Sequence, residues 1–225
     1  MNQAMSPSAK KPYGIQRVCR AWHMARATVQ RHKAQAACEP AKRGPKTHDR
    51  TITTAKPDQM WAIDATGCLT DEGNAAVFVV VDHCTGECLG ARAALRGTRF
   101  KAIECLREAV PVTKGRYDTQ IAKGTALRHD HGSQFISHAF QDELKSLGIE
   151  SSPSFVRQPE GNGGVGRFLR TLKEQLLWLQ RFRTVAELDQ ALRDFARRFN
   201  NHWIIGRIGY RTPAAHRRIL LGEVA

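Results

Sequence analysis

Long apolar runs are missing from this chain. The longest, Ala75–Val81, is far below the roughly 20 residues that a helix needs to cross a bilayer, so no membrane partner or membrane-spanning helix is expected. Met1–Gly14 is polar and lacks the apolar stretch of a secretory leader. The six cysteines (Cys19, Cys38, Cys68, Cys84, Cys88, Cys105) are therefore expected as thiols in a reducing compartment, and the protein in the cytoplasm. Zinc-site spacing is missing too. His83, Cys84 and Cys88 have no second Cys or His pair, and Cys19, His23, His32 and Cys38 fit neither a His-x₃-His nor a Cys-x₂-Cys pattern. There is no internal repeat.

Acidic residues are few: 21 Asp and Glu stand against 35 Lys and Arg, a net charge of +14 and a pI near 10.0. Such an excess favours a polyanionic partner, DNA or RNA. It is also uneven. Residues 1–56 hold 12 basic and 2 acidic side chains, and residues 167–218 hold 12 and 4. Two basic ends around a less basic centre suit two backbone-gripping surfaces flanking a site that needs carboxylates of its own.

The apolar positions Ile15, Val18, Cys19, Trp22, Met24 and Val29 predict two short helices, the second resembling the recognition helix of a helix-turn-helix. Thr28, Gln30, Arg31 and Lys33 would then face DNA. An ordinary basic hairpin fits the same pattern. Four segments are expected: a helix-turn-helix-like one over 1–35, a Pro- and Lys-rich linker over 36–56, a core over 57–218 and a tail over 219–225.

Within the core, MWAIDAT (60–66) and AAVFVVVD (75–82) read as strands joined by a turn over Thr70–Asn74, and Glu87–Leu95 as a third strand. A helix capped by Thr98 follows, with Phe100, Ile103, Leu106 and Val110 inward and a stop at Pro111. Thr125–Asp130 reads as a strand. Ser137 caps a helix that buries Phe140, Leu144 and Leu147 and ends at Gly148, and Ile149–Phe155 reads as the fifth strand. Arg167–Leu179 is helical, as is the segment from Thr184, whose Glu187 completes a capping box. The order βββαβαβαα is that of an α/β, ribonuclease-H-like mixed five-stranded sheet with flanking helices.

Asp64 lies in the first strand and Asp130 ends the fourth. Those strands are neighbours in such a sheet, so the carboxylates can converge on Mg²⁺ or Mn²⁺, hard cations that prefer oxygen. Arg167, Arg170 and Lys173 recur every third residue beside that site, an arrangement suited to DNA phosphates. Trp178, Trp203 and Tyr210 are expected in the core.

Over residues 56–218 the chain resembles the bacterial insertion-sequence transposases with an integrase core domain. The resemblance is carried by PDQMWAIDATG, VVVDHCTGECLG, LRHDHGSQFIS, the stretch from LGIESSPSF to LKEQLLW, and FNNHWIIGRIGYRTPAAHR. It implies a retroviral-integrase fold, a homo-oligomer on double-stranded DNA at the nucleoid, and metal-assisted nicking followed by strand transfer at transposon ends. Asp64 and Asp130 match the first two members of the family's acidic triad, which are catalytic and metal-binding. The third, a Glu separated from the second Asp by 35 residues, falls on Gly166 in NGGVGRF. The resemblance therefore implies an impaired transposase or, alternatively, a catalytically inactive DNA-binding remnant; a ribonuclease-H-like nuclease is a weaker reading.

Overall fold

The structure, a computed structural model, describes residues 54–154 and 163–223 together with Cys19. The chain divides into two compact units, 1–48 and 49–225. The fold is that of the second; the proposed DNA-facing residues Thr28, Gln30, Arg31 and Lys33 lie outside the described residues.

A run of β-branched and aromatic residues over 77–81 lies at the heart of the sheet. Strands β1 (Met60–Thr70), β2 (Gly73–Asp82) and β3 (Cys88–Ala94) form an antiparallel meander. The first hairpin is longer and tighter than its turn residues predict, pairing continuously from Trp61 with Asp82 to Thr70 with Gly73. Asp71 and Glu72 alone make the turn. Gly73 supplies its positive φ of 123°, and the Thr70 hydroxyl donates to the Gly73 carbonyl at 2.9 Å. Strands β4 (Ala126–His129) and β5 (Glu150–Pro153) add in parallel on the other side of β1, giving the order β3-β2-β1-β4-β5.

Alternation along the strands separates two cores. Trp61, Ile63, Phe78 and Val80 pack with helices α1 (Arg99–Lys114) and α3 (His138–Leu147), whose neighbour α2 (Ser133–Ile136) adds Phe135. Ala62, Val77, Val79 and Val81 point to the opposite face, under α4 (Gly163–Leu172) and α5 (Val185–His202). Each fully buried Leu, Ile or Phe in these layers contributes about 1.5–3 kcal/mol.

Helix α1 runs through Pro111 to Lys114 instead of stopping there. The proline forfeits one intrahelical bond, while buried Cys105, Leu106, Ala109 and Val110 hold that turn against the sheet. Phe100 does not face inward: it is 56% exposed, with the Arg99 guanidinium 5.0 Å from its ring. Close approach of α1 to β3 requires Gly90, where a Cβ would lie 2.6 Å from the Cys105 carbonyl oxygen. Ser137 caps α3 by accepting the Phe140 N–H, and Gly148 closes it at φ 75°. Thr184 caps α5 by accepting from the Glu187 N–H, while the Glu187 carboxylate reaches the Arg183 N–H rather than that of Thr184.

Helix α6 (Pro213–Leu221) is anchored by charge. The Arg217 guanidinium donates to both oxygens of Asp58 at 2.7 Å and lies 3.4 Å from Glu87, all three side chains being largely shielded from water.

Candidate functional site

Parallel pairing of β1 with β4 sets the site. Met60, Trp61 and Ala62 pair with Ala126, Leu127 and Arg128, and carrying that register two residues further brings Asp64 level with Asp130. Alternation places Asp64 on the same face as Ala62, the side covered by α4 and α5. Asp130 follows the last residue of β4 and shares the parity of Arg128, opposite to the core residue Leu127.

Each carboxylate is held locally. An Asp64 oxygen accepts the Ala65 N–H at 2.8 Å, and an Asp130 oxygen accepts the Gly132 N–H at 2.9 Å. Burial raises the pKa of Asp64; its backbone hydrogen bond opposes this, the charge of Asp130 raises it further, and Lys173 lowers it. The two carboxylates thus repel one another in a partly desolvated setting. That donor set fits a hard divalent cation, which would relieve the repulsion. Among the described residues, no group of three or more His, Cys, Asp or Glu side chains is placed to hold a metal.

Gly166 lies in α4, and a Cβ built there meets no atom within 4 Å. The position is open toward solvent, so nothing in the packing demands glycine. Glu174 is engaged elsewhere, accepting from Arg170 at 2.7 Å. Glu160 lies outside the described residues.

His129 is buried at 1% exposure, wedged against Phe135 and Phe140, with its ring nitrogens at the Ser151 hydroxyl and the Asp130 carbonyl. It packs beneath the site. His131 contacts the Ser154 carbonyl at 2.8 Å.

The basic residues of α4 diverge. Six residues rotate a helix by about 600°, a third of a turn short of two full turns, so Arg167 and Lys173 point about 120° apart. Lys173 belongs to a π-helical turn over Lys173–Leu177 and acts electrostatically on Asp64, whereas Arg167 lines a cleft with Arg207. Arg170 is exposed and paired with Glu174.

The three aromatic residues expected in the core lie outside it. Trp178, Trp203 and Tyr210 are 70%, 40% and 80% exposed. Trp178 ends the π-helical turn, and Trp203 and Tyr210 fall in the turn after α5, where among the described residues no second layer covers them. Arg207, beside them, drew no notice in the sequence because its position opposite Arg167 depends on how α5 meets α4.

A five-stranded mixed sheet between helical layers, with two carboxylates level on its central parallel strands, defines the ribonuclease-H-like class. Two models, each described as an integrase core domain, match residues 54–159 and 147–213. The chain belongs to the integrase core domain family. It is 24% identical over 223 residues to the transposase for insertion sequence element IS629 of Shigella sonnei, covering 91% of this chain and 73% of that protein. It is 26% identical over 157 residues to the transposase for insertion sequence element IS904 of Lactococcus lactis subsp. lactis (strain IL1403), covering 70% of this chain but 60% of that relative. Among solved structures, the simian T-cell lymphotropic virus intasome in complex with a PP2A regulatory subunit matches at TM-score 0.60 and 19% identity, over 91% of this chain and 74% of that one. The HTLV-2 integrase catalytic core in complex with magnesium matches at 0.54 and 19%, over 72% of this chain and 98% of that one. These likenesses show the fold. No helix among the described residues is long and apolar enough to cross a membrane.

Proposed function

We propose that the chain is an insertion-sequence transposase acting on double-stranded DNA as a homo-oligomer, with Asp64 and Asp130 as its metal-binding catalytic pair and strand transfer impaired by Gly166. The observation that carries the reading is the β1–β4 register, which levels the two aspartates on the α4 face of the sheet. Transposase relatives and the family match support the substrate class. The net charge of +14 supports a polyanionic partner.

A Mg²⁺ or Mn²⁺ ion held by Asp64 and Asp130 supplies Lewis acidity for activating an attacking oxygen and stabilising a leaving one. The chain's own residues do the rest. The Ala65 and Gly132 N–H groups fix one oxygen of each carboxylate and leave the other for binding. Lys173 adds positive charge beside Asp64, where phosphate approaches. Arg167 and Arg170 extend that charge along α4 toward DNA, and Thr28, Gln30, Arg31 and Lys33 serve end recognition through the amino-terminal segment, 1–35, joined by the linker 36–56 to the core.

Gly166 gives a second reading its footing, a catalytically inactive protein that binds transposon ends. The test is a Mg²⁺- or Mn²⁺-dependent nicking and strand-transfer assay on the element's terminal inverted repeats beside a gel shift on the same DNA. Weak joining that Asp64→Asn and Asp130→Asn abolish supports the impaired enzyme. Binding without any joining supports the inactive binder, and absence of both overturns the assignment.

A further inference from the structure

Between α4, α5 and the turns at Gly86 and Gly206 lies a cleft of about 260 Å³. It is lined by Gly164, Arg167, Phe199, Trp203, Ile204 and Arg207, among others. Four features of that wall point to one kind of ligand.

First, two guanidinium groups face the same space. Among the described residues no carboxylate lies within salt-bridge distance of either; Arg207 gives one N–H to the Cys84 carbonyl at 3.4 Å. Each disfavours the other's charge: at Arg207, where burial lowers the pKa most, the further lowering by Arg167 exceeds the opposing pull of the nearby Asp82. An anion resolves that conflict, and a phosphate accepts the planar fork of a guanidinium in a bidentate manner.

Second, the far wall is aromatic. The rings of Phe199 and Trp203 are stacked at 5.8 Å and 23°, Phe199 buried and Trp203 partly exposed, with exposed Ile204 beside them. A flat apolar face next to a paired cation suits a nucleobase unstacked from its neighbours.

Third, the wall is rigid. The turn after α5 is held by backbone hydrogen bonds, the Ile205 N–H donating to the Arg211 carbonyl at 3.0 Å and the Ile205 carbonyl accepting from the Tyr210 N–H at 3.1 Å, and Gly206 has the Tyr210 ring over it, 3.6 Å from where a Cβ would stand. A preformed face loses little entropy on binding.

Fourth, the first turn of α4, a ten-residue helix, borders the cleft at Gly164 and contributes its amino-terminal dipole, which favours an anion there.

We propose that this cleft is a single-nucleotide pocket, in which Arg167 and Arg207 take a backbone phosphate and the Phe199–Trp203 face takes a base drawn out of bound DNA. The inference rests on the reading of the chain as a DNA-processing protein and adds a function to it: the pocket holds one unpaired nucleotide, so frayed or overhanging ends are preferred over blunt ones.

The test uses the full chain and two DNA duplexes of one sequence, one blunt and one ending in a short single-stranded overhang that carries a fluorescent adenine analogue. The native protein is expected to bind the overhang duplex on the order of ten-fold more tightly, the scale of one stacked base, and to quench the analogue. Trp203→Ala and Arg207→Ala should each erase the preference while leaving affinity for the blunt duplex within about two-fold, since one lost contact is small against many phosphate contacts. Trp203→Phe should retain quenching. An overhang preference that survives both alanine variants overturns the pocket, as does equal binding of the two duplexes by the native chain, and either result leaves the transposase reading standing. Failure of the native chain to bind any duplex overturns both.

Discussion

Gly166→Glu is the perturbation that tests the proposal that Gly166 stands where a third catalytic carboxylate would be. A Cβ at this position meets nothing within 4 Å, so the larger side chain enters without displacing a neighbour. Replacing a helical glycine gains about 0.5–1 kcal/mol from backbone entropy. The first turn of α4 has no acidic residue, so a glutamate near it gains a further few tenths of a kcal/mol from the helix dipole, about 0.3 at the low end. Repulsion from Asp64 and Asp130 offsets part of that gain until a cation binds. The net change without metal should therefore be small, on the order of 0.5 kcal/mol, or about 1–2 °C in melting temperature for a chain of this size. With Mg²⁺ the picture changes, because a ligand present at about 100 times its Kd adds about 2.7 kcal/mol. The variant should bind Mg²⁺ more tightly than the native chain, and so show a distinctly larger Mg²⁺-induced rise in melting temperature. Strand transfer should rise on the order of 10³-fold, the scale on which loss of one member of a catalytic unit acts. Thermal melts with and without Mg²⁺, run beside a joining assay on transposon-end DNA, read all three quantities. A variant that melts as expected yet joins DNA no faster than the native chain would refute the proposal that Gly166 replaces a catalytic carboxylate.

Three further outcomes follow from the packing. Burial, followed by the charges of Arg128, Arg207 and Arg167, lowers the His83 pKa to about 4 from 6.5; a depressed histidine keeps its contribution above 6.5 and loses it as pH falls toward 4, about 3 kcal/mol in all. His83→Gln should flatten that part of the urea-derived stability profile, and an unchanged acid limb would count against it. Gly90→Ala forces a methyl group to 2.6 Å from the Cys105 carbonyl, so chemical denaturation should report a loss of about 1–3 kcal/mol; a neutral result would mean that α1 shifts freely. Arg217→Met leaves Glu87 without its cation, while Asp58 keeps the Trp61 indole N–H at 3.0 Å and Lys114 at 3.8 Å, and should cost about 3 kcal/mol, with protease cleavage near Pro213–Leu221 as the local readout; a native-like digestion pattern would show that α6 docks without the ion pair.

Much of the architecture was legible in one dimension. Strands β1 to β5, the Ser137 cap, the Gly148 stop and the inward faces of α3 and α5 are written in alternation, helical period and capping chemistry, all of which act over a few residues. The same is true of the acidic positions: Asp64 in a strand and Asp130 after one are local facts, and the count of residues to Gly166 is another. What local signals misjudged were the run of α1 through Pro111 and the outward placement of Phe100, Trp178, Trp203 and Tyr210. In each case the deciding influence was a neighbour distant in the chain, or its absence.

The sequence alone thus determined the family and the order of elements, because those depend on residue type and near-neighbour spacing, and it supplied Asp64 and Asp130 as the proposed carboxylate pair. Tertiary structure decided that β1 and β4 pair in the register that levels Asp64 with Asp130, that Arg217 bridges Asp58 and Glu87, and that Arg167 and Arg207 share one cleft. These are contacts between residues tens of positions apart or more. Their geometry is fixed only when the two apolar faces of the sheet are covered by helices, which no short window of sequence contains.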